Sequence, residues 1–286
     1  MNPAKIHFYK MHGFGNDFVL IDNREAKVPK AEMPEWARKA CHRQLGIGAD
    51  GFIFLEETPP GRRADYIWHF YNADGSRGEM CGNGARCAAA LSQRLGLAGL
   101  SHTLGTDSGP IHAVVMPESN EVKIQLTRPR QLLTNLQVEV DRRQWNVHHV
   151  NTGVPHVVMI CEDLAETDVA HLGRLIRHHP GFAPDGANVN FIQPIDRQNM
   201  RIRTYERGVE AETFACGTGA AAALVVASTL DLVEPSASMI TRTNDEMKVS
   251  IENGDVYLQG RADLVFEGYA QVEALLGGQS PIQSSA

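Results

Sequence analysis

Short runs of apolar residues along the chain predict strands, and two longer segments have the spacing of amphipathic helices. The segments of the first half follow the order strand, helix, strand, strand, and the second half repeats that order. In the first half the predicted strands are 19–21, 52–55 and 66–71, with a helix at 34–44. In the second half they are 157–160, 189–192 and 201–205, with a helix at 168–178. The pattern therefore predicts two similar α/β halves.

A motif around a cysteine repeats with the same order. Residues 81–85 read Cys-Gly-Asn-Gly-Ala and residues 216–220 read Cys-Gly-Thr-Gly-Ala. Small and apolar residues follow each copy, which predicts a loop that turns into a buried helix. Because 135 residues separate Cys81 from Cys216, the period is far longer than that of a solenoid. We interpret the repeat as a duplicated domain.

This repeat divides the chain into two predicted domains, residues 1–127 and 128–260. Strands predicted at 122–126, 249–251 and 256–258 close the two halves. A further strand near 264–266, within 261–276, is expected to rejoin the first domain. Residues 277–286 are rich in Gly, Ser and Gln, which predicts a disordered tail.

Composition narrows the classes of function. With 43% apolar and 21% charged residues, the 286-residue chain is typical of a globular protein. Its net charge of −7 argues against a nucleic-acid or anionic-membrane surface as partner. No charged-then-apolar leader and no apolar run of membrane-spanning length appear, and the odd count of five cysteines predicts reduced thiols in a cytoplasm. Because no Cys-x-x-Cys or His-x-x-x-His spacing is present, we expect no metal.

The two cysteine motifs suggest a chemistry. Glycines let backbone N–H groups converge on an anion such as a carboxylate, and the helix dipole favours a thiolate at a helix N-terminus. Two sulfurs that face one site suit stereoinversion at carbon, since one removes the α-proton and the other delivers a proton to the opposite face. No cofactor is then required. The alternatives are that both cysteines are small buried residues at helix starts, or that they form a thiol redox pair.

Taken together, the motifs resemble those of the diaminopimelate epimerase family over nearly the whole chain. The matching segments are 13–18 (GFGNDF), 72–76 (NADGS), 80–87 (MCGNGARC), 188–189 (NV), 205–208 (YERG) and 215–219 (ACGTG). The resemblance implies interconversion of LL- and meso-diaminopimelate without pyridoxal phosphate, on the route to lysine and peptidoglycan. It also implies two pseudo-symmetric α/β domains, each a curved sheet around a central helix, and a homodimer.

The resemblance also implies roles for particular residues. Cys81 and Cys216 match the two catalytic cysteines, and His156 and Glu206 match residues that tune the thiols. The remaining matches are positions that bind substrate. They are Asn16, Asn72, Gly82, Asn83, Asn188, Glu206, Arg207, Gly217 and Thr218.

Three departures from the family pattern concern the far end of the substrate. Val154 stands where the family usually has an asparagine, Gly51 where many members have glutamine, and the loop 208–211 is one residue longer than the commonest form. These leave open a racemase of the same fold that acts on another amino acid, such as histidine. Proline racemases share the paired cysteines, but Asn72 and the Glu206-Arg207 pair favour a substrate with a second polar end.

Overall fold

The computed structural model describes residues 4–78, 80–213, 216–244 and 246–277. The chain forms two compact units, of which unit 1 comprises Met1–Val122 with Arg261–Ala286, and unit 2 comprises Lys123–Gly260. The predicted tail at 277–286 lies outside the described residues except for Gly277, which is the C-cap of the last helix.

In chain order the strands are β1 (Lys5–Gly13), β2 (Asn16–Asp22), β3 (Gly51–Glu57), β4 (Tyr66–Asn72), β5 (Ser101–Thr106), β6 (Gly109–Met116), β7 (Glu121–Gln125), β8 (Arg130–Val140), β9 (Arg143–Asn151), β10 (Pro155–Ile160), β11 (Asn188–Pro194), β12 (Asn199–Glu206), β13 (Ala211–Thr213), β14 (Ser236–Ile240), β15 (Glu246–Glu252), β16 (Asp255–Arg261) and β17 (Asp263–Gln271). The helices are α1 (Asn23–Ala26), α2 (Met33–Ala40), α3 (Gly82–Arg94), α4 (Val169–Arg177), α5 (Gly217–Thr229) and α6 (Val272–Leu276), with a 3₁₀ turn at Pro180–Phe182.

Unit 1 is a mixed sheet that surrounds one helix. β1 pairs antiparallel with β2, β2 parallel with β3, β3 antiparallel with β4, β4 parallel with β5, and β5 antiparallel with β6. The C-terminal strand β17 pairs antiparallel with the outer edge of β1. Helix α3 contacts β1, β2, β3 and β6. Because one helix touches strands from both ends of this sheet, the sheet must curve around it.

Unit 2 repeats that topology strand for strand. Along β9, β10, β11, β12, β14 and β15 the pairings again alternate between antiparallel and parallel, beginning and ending antiparallel. β8 pairs antiparallel with β9, as β17 does with β1. Helix α5 contacts strands from β9 to β15. The predicted fold class, two similar α/β halves with a sheet curved around a central helix, is confirmed.

Small residues explain why a helix fits inside each sheet. Positions 220–223 of α5 are all alanine and wholly buried, and Ala85, Ala88 and Ala89 of α3 are equally buried. Each unit also has a core cluster that is covered by a further helix. α2 covers it in unit 1 with Met33 and Trp36, and α4 covers it in unit 2 with Val169 and Ile176.

One predicted helix has a different end. The pattern predicts a helix over 34–44, but α2 ends at Ala40. Beyond it the chain turns back on the helix, and the backbone N–H groups of Ile47 and Gly48 both donate to the carbonyl oxygen of Ala40. Gly46 approaches this end so closely that a β-carbon would lie 2.3 Å from the Lys39 carbonyl oxygen. Tertiary hydrogen bonds thus replace the last helical turn.

Candidate active site

Each unit places a cysteine at the N-cap of its central helix. Cys81 precedes α3 in an extended conformation, and its Sγ accepts a hydrogen bond from the backbone N–H of Gly84 at 3.5 Å. Cys216 precedes α5 in the same way, and its Sγ accepts from Gly219 N–H at 3.4 Å. Both sulfurs therefore lie at the positive end of a helix, where a thiolate is favoured. The predicted helix starts are confirmed.

In unit 1 the thiol of Cys81 lies beside the amide of Asn16, on the β1–β2 side of the helix. Sγ is 3.6 Å from Asn16 Oδ1, which also accepts from Asn83 Nδ2 at 3.2 Å. The Asn16 Nδ2 group donates to Asp50 Oδ2 at 2.9 Å. A carboxylate only accepts hydrogen bonds, so Asp50 fixes the orientation of this amide. The Asn16 oxygen therefore faces the thiol.

Charged groups hold the segment that carries Asn16. The next residue, Asp17, binds Lys10 Nζ at 2.6 Å and Arg43 Nη2 at 2.9 Å. Burial would raise the pKa of Asp17, but the hydrogen bonds from Arg43 and Lys10 outweigh it and lower the pKa to about 2. Arg43 also binds Asp50 at 2.8 Å. This network ties the start of β2 to the turn before β3.

The structure accounts for one departure from the family pattern. Gly51 begins β3, and a β-carbon there would lie 2.7 Å from Cε2 of Phe70 on β4. Gly78, after the same strand, would bring a β-carbon within 2.3 Å of the Phe70 ring. The aromatic ring thus occupies the space that a side chain at either position needs, and glycine at 51 is a consequence of local packing.

In unit 2 the thiol of Cys216 lies beside a carboxylate. Glu206, at the end of β12, accepts hydrogen bonds from Thr213 Oγ1 at 2.5 Å and from Cys216. Burial raises the pKa of Glu206, and these two hydrogen bonds oppose that shift without cancelling it. A carboxylate with a raised pKa is a stronger base. Thr218 Oγ1 lies 3.5 Å from the same sulfur.

His156 is wholly buried in unit 2 between two asparagines. Asn190 Nδ2 donates to His156 Nδ1 at 3.0 Å and to the Val157 carbonyl oxygen at 3.1 Å. His156 Nε2 lies 3.5 Å from Asn188 Nδ2. Burial, with small contributions from His149 and Arg207, lowers the pKa of His156 to about 3. The ring is therefore neutral, and a role in tuning a thiol stays a prediction.

The other predicted residues lie at the ends of strands or helices. Asn188 Oδ1 accepts from the Arg207 backbone N–H at 2.7 Å, and Arg207 Nη1 lies 3.5 Å from the Asp185 carbonyl oxygen. Gly82 and Gly217 are the first residues of α3 and α5. Asn72 is exposed at the end of β4, where Nδ2 donates to Ser76 Oγ at 3.0 Å. Its described contacts thus belong to the turn after β4.

Several residues that matter to this geometry were not singled out from the sequence. Asn190 lies two positions after Asn188, so the period of a strand puts both side chains on one face of β11. Arg86 lies inside the matched motif 80–87, yet its burial is a property of the fold. Asp50, which binds Asn16, lies 34 residues from it in sequence. Thr213 lies seven residues after Glu206, across the turn between β12 and β13, and no local pattern indicates either contact.

Among the residues described, no three His, Cys, Asp or Glu side chains gather as a metal would require. Within the same ranges, no helix is both long and apolar enough to cross a lipid bilayer. All five cysteines are free thiols.

Comparison with known proteins points to one family. The family model described as diaminopimelate epimerase matches residues 8–132 and 148–265. The chain is 42% identical over 273 residues to the diaminopimelate epimerase of Hydrogenobaculum sp., covering 92% of the chain and 98% of that relative. It is 39% identical over 279 residues to the diaminopimelate epimerase of Aquifex aeolicus, covering 94% and 99%.

Solved structures share the fold at low sequence identity. A phenazine biosynthesis protein of the PhzF family from Bacillus anthracis has a TM-score of 0.69 and 17% identity, covering 94% of the chain and 99% of that structure. A hydroxyproline epimerase from Agrobacterium vitis, with bound trans-4-hydroxy-L-proline, also has a TM-score of 0.69 at 15% identity, covering 95% and 94%. At these identities the likeness concerns the fold.

Proposed function

The chain belongs to the diaminopimelate epimerase family, an isomerase family that interconverts LL- and meso-diaminopimelate without pyridoxal phosphate, and from this premise we propose a two-base mechanism carried by Cys81 and Cys216. One sulfur, as thiolate, removes the α-proton, and the other, as thiol, returns a proton to the opposite face. The reverse reaction exchanges their roles. The proposal requires both sulfurs to reach the same substrate carbon.

A single observation carries this proposal. Two units of the same topology each place a cysteine at the N-cap of the central helix, with Sγ accepting the N–H three residues on. If these cysteines only filled the core, one cysteine at a helix N-cap would be poorly explained, and two at matched positions would be explained even less well. Because a thiol is far more acidic than a hydroxyl, this residue type suits proton transfer at carbon.

Backbone amides at the same helix starts are suited to the reacting carboxylate. The first N–H groups of a helix have no partner within it and carry partial positive charge. We assign Gly82 and Asn83 in α3, and Gly217 and Thr218 in α5, to hold the α-carboxylate and to stabilise the charge that develops as the proton leaves. This stabilisation takes the place of an electron-withdrawing cofactor.

The surroundings of each sulfur suit a group that alternates between thiol and thiolate. Asn16 Oδ1 can accept a hydrogen bond from the Cys81 thiol, and Gly84 N–H can donate one to the thiolate. Glu206 accepts from the Cys216 thiol and has a raised pKa, which equips it to take up that proton. Each protonation state of each sulfur thus has a hydrogen-bond partner.

The far end of diaminopimelate carries a second ammonium and carboxylate. We assign Arg207 to that carboxylate because a planar guanidinium binds both oxygens at once. We assign Glu206 to bind the second ammonium, and Asn72 and Asn188 to add neutral hydrogen bonds at the same end of the substrate. Val154 offers no side-chain hydrogen bond, so one contact of typical members is missing here. The loss of one hydrogen bond weakens binding less than a charged group left without its partner would.

We further propose a domain boundary at 127/128, a homodimer and a cytoplasmic location. For the homodimer, Val265, Phe266 and Tyr269 on β17 are 55%, 48% and 70% exposed. Large apolar side chains grouped on one strand favour contact with a second copy. Light scattering should find a dimer whose dissociation constant rises on Tyr269→Glu, and a monomer at all concentrations would contradict the homodimer.

For the cytoplasmic location, the free thiols of all five cysteines suit a reducing compartment.

The substrate is tested by comparing kcat/KM for LL-diaminopimelate, L-lysine and L-histidine without added cofactor. We expect a clear preference for diaminopimelate, because only it carries a second carboxylate for Arg207. A preference for lysine or histidine would overturn the substrate and leave the two-cysteine mechanism intact. It would favour a racemase of the same fold instead.

A further inference from the structure

Arg86, in the second turn of α3, is a wholly buried arginine with neutral partners. Its Nη2 donates to Asn83 Oδ1 at 2.7 Å, and Nε and Nη1 lie 3.4 and 3.5 Å from the carbonyl oxygens of Arg261 and Gly82. The guanidinium carbon lies 4.9 Å from the centre of the Phe14 ring. Within the part of the chain that the structure describes, no carboxylate forms an ion pair with it.

A buried charge without a counter-ion is costly, and proteins seldom keep one that has no use. Burial lowers the pKa of Arg86 to about 10, so the group is still a cation at neutral pH. Among the described residues, the ionisable groups that interact with it electrostatically are the thiols of Cys87 and Cys81. Burial raises the pKa of Cys87 to about 12, so that thiol stays neutral. Of these two described thiols, Cys81 is the one that can supply a negative charge.

We propose that Arg86 is a positioning residue for Cys81: its buried positive charge favours the thiolate, and its hydrogen bond to Asn83 fixes the groups around the sulfur. The inference rests on the proposed function in assigning Cys81 as a base. Arg86 itself is buried beyond the first turn of α3. It acts on the Cys81 sulfur through its charge, and on the groups around that sulfur through Asn83 and Asn16.

The second part of this role follows from hydrogen-bond direction. A guanidinium only donates, so Asn83 must present Oδ1 to Arg86 and its Nδ2 group to Asn16 Oδ1. Asp50 only accepts and sets Asn16 from the other side. The chain from Arg86 through Asn83 and Asn16 to Asp50 therefore has one consistent arrangement of donors and acceptors.

Unit 2 has no equivalent cation on its helix. The residue five positions after Cys216 is Ala221, whereas five positions after Cys81 is Arg86. Cys216 has the carboxyl group of Glu206 as neighbour instead. A cation beside one sulfur and a carboxyl beside the other favour Cys81 as the thiolate and Cys216 as the thiol in the free enzyme.

Other ionisable groups around this cluster have partners of their own. On β2 and the turn before β3, Asp17 and Asp50 pair with Arg43. On β17, Asp263 binds Arg261 at 2.6 Å and Asn120 at 2.7 Å, and it also acts on His12 of β1 and on Cys87. None of these pairs includes the Arg86 side chain, so we expect a substitution at Arg86 to leave them in place.

The test is the pH dependence of alkylation of Cys81 by iodoacetamide, followed by peptide mass spectrometry in the wild type, Arg86→Gln and Arg86→Lys. Because only the thiolate reacts, the midpoint of the rate reports its formation. We expect Arg86→Gln to raise the Cys81 midpoint by about one pH unit or more, a tenfold loss of rate below the midpoint. Arg86→Lys keeps the charge and should stay within a few tenths of a unit.

Matched controls separate this effect from a general disturbance. Arg94→Gln, in the exposed last turn of the same helix, should leave the Cys81 midpoint unchanged, and Cys216 should titrate as in the wild type in all variants. An unshifted Cys81 midpoint in folded Arg86→Gln overturns the proposal. If that variant does not fold, the wild type decides: a midpoint of Cys81 at or above that of Cys216 overturns it. Alkylation needs no substrate, so the result is independent of whether the chain epimerises diaminopimelate.

Discussion

The side-chain amide of Asn190 donates a hydrogen bond of 3.0 Å to Nδ1 of the buried His156 imidazole. The amide is oriented by its second bond to the Val157 carbonyl oxygen and by Thr204 Oγ1, which lies 3.0 Å from Asn190 Oδ1. Asn188 Nδ2 also faces the ring, 3.5 Å from Nε2, and a neutral imidazole can accept at only one of its two nitrogens. The shorter contact places the accepted hydrogen bond at Nδ1, and burial keeps the ring neutral.

A pH-dependent stability follows from this state. The folded pKa of His156, about 3, lies below the value of about 6.5 expected when the chain is unfolded. Its contribution to stability is complete above about pH 6.5 and is lost as the pH falls towards 3, since only the unfolded chain takes up the proton. Between pH 7.5 and pH 5 the wild type should lose about 2 kcal/mol more than His156→Gln. Urea unfolding at both pH values measures this. An equal loss in the two proteins would show that His156 is charged in the folded state.

Equivalent glycines in the two helices should differ in their tolerance of alanine. A β-carbon on Gly219 would lie 2.3 Å from Asn190 Oδ1, whose amide cannot move without releasing His156. A β-carbon on Gly84 would meet the Ile53 Cδ1 methyl at 3.3 Å, which can shift. We expect Gly219→Ala to cost about 1–3 kcal/mol of unfolding free energy. Gly84→Ala should cost less, because alanine is the better helix former by about 1 kcal/mol. Similar losses in urea unfolding would contradict the Asn190 contact.

Glu206→Gln keeps the shape of the side chain and removes its charge. If Glu206 takes up the proton of Cys216, kcat for epimerisation should fall by about 10²–10⁴-fold. The alkylation midpoint of Cys216 should also fall, because a carboxylate beside a thiol opposes its ionisation. Glu246→Gln, on the exposed start of β15, is the matched control and should behave as wild type. Unchanged kcat in Glu206→Gln would exclude the carboxylate as a base.

Arg207 and Val154 test how the far end of the substrate is bound. Arg207→Ala removes charge-assisted hydrogen bonds worth about 1.5–3 kcal/mol each, so kcat/KM for LL-diaminopimelate should fall at least tenfold to a hundredfold. Val154→Asn adds one bond and should change kcat/KM by about tenfold or less. Arg201→Ala, exposed on β12, is the control. A larger effect at Val154 than at Arg207 would reverse the proposed ranking of the two contacts.

The local sequence pattern is enough to predict the helices that begin at the two cysteines. Apolar runs and glycines next to alanines are local signals, and the starts of α3 and α5 are where they predict. The hairpin of β8 and β9 was missed because its face is largely exposed: Leu133 is 53% accessible and polar residues alternate irregularly. The early end of α2 depends on hydrogen bonds from residues that return to Ala40, which no periodicity records.

The contacts that set the chemistry of the site are harder to predict from the sequence. Asn190 and Arg86 act because the fold buries them beside particular partners, and Thr213 acts because the β12–β13 pairing brings it to Glu206. Burial also determines the charge state of His156, which a histidine after proline does not reveal. Such roles require the neighbours to be known.

The most direct test of the two-cysteine mechanism is deuterium uptake at the α-carbon of LL-diaminopimelate in D₂O, without added cofactor, alongside chiral chromatography of the product. We predict that the wild type forms meso-diaminopimelate with deuterium at the inverted centre. Cys81→Ser and Cys216→Ser should each lose several orders of magnitude of turnover, because a hydroxyl is far less acidic than a thiol. Cys161→Ser, at a half-buried thiol outside both motifs, should retain near-normal turnover. Near-normal turnover in either Cys81→Ser or Cys216→Ser, or no deuterium uptake by the folded wild type, as for a thiol redox protein, would contradict the mechanism.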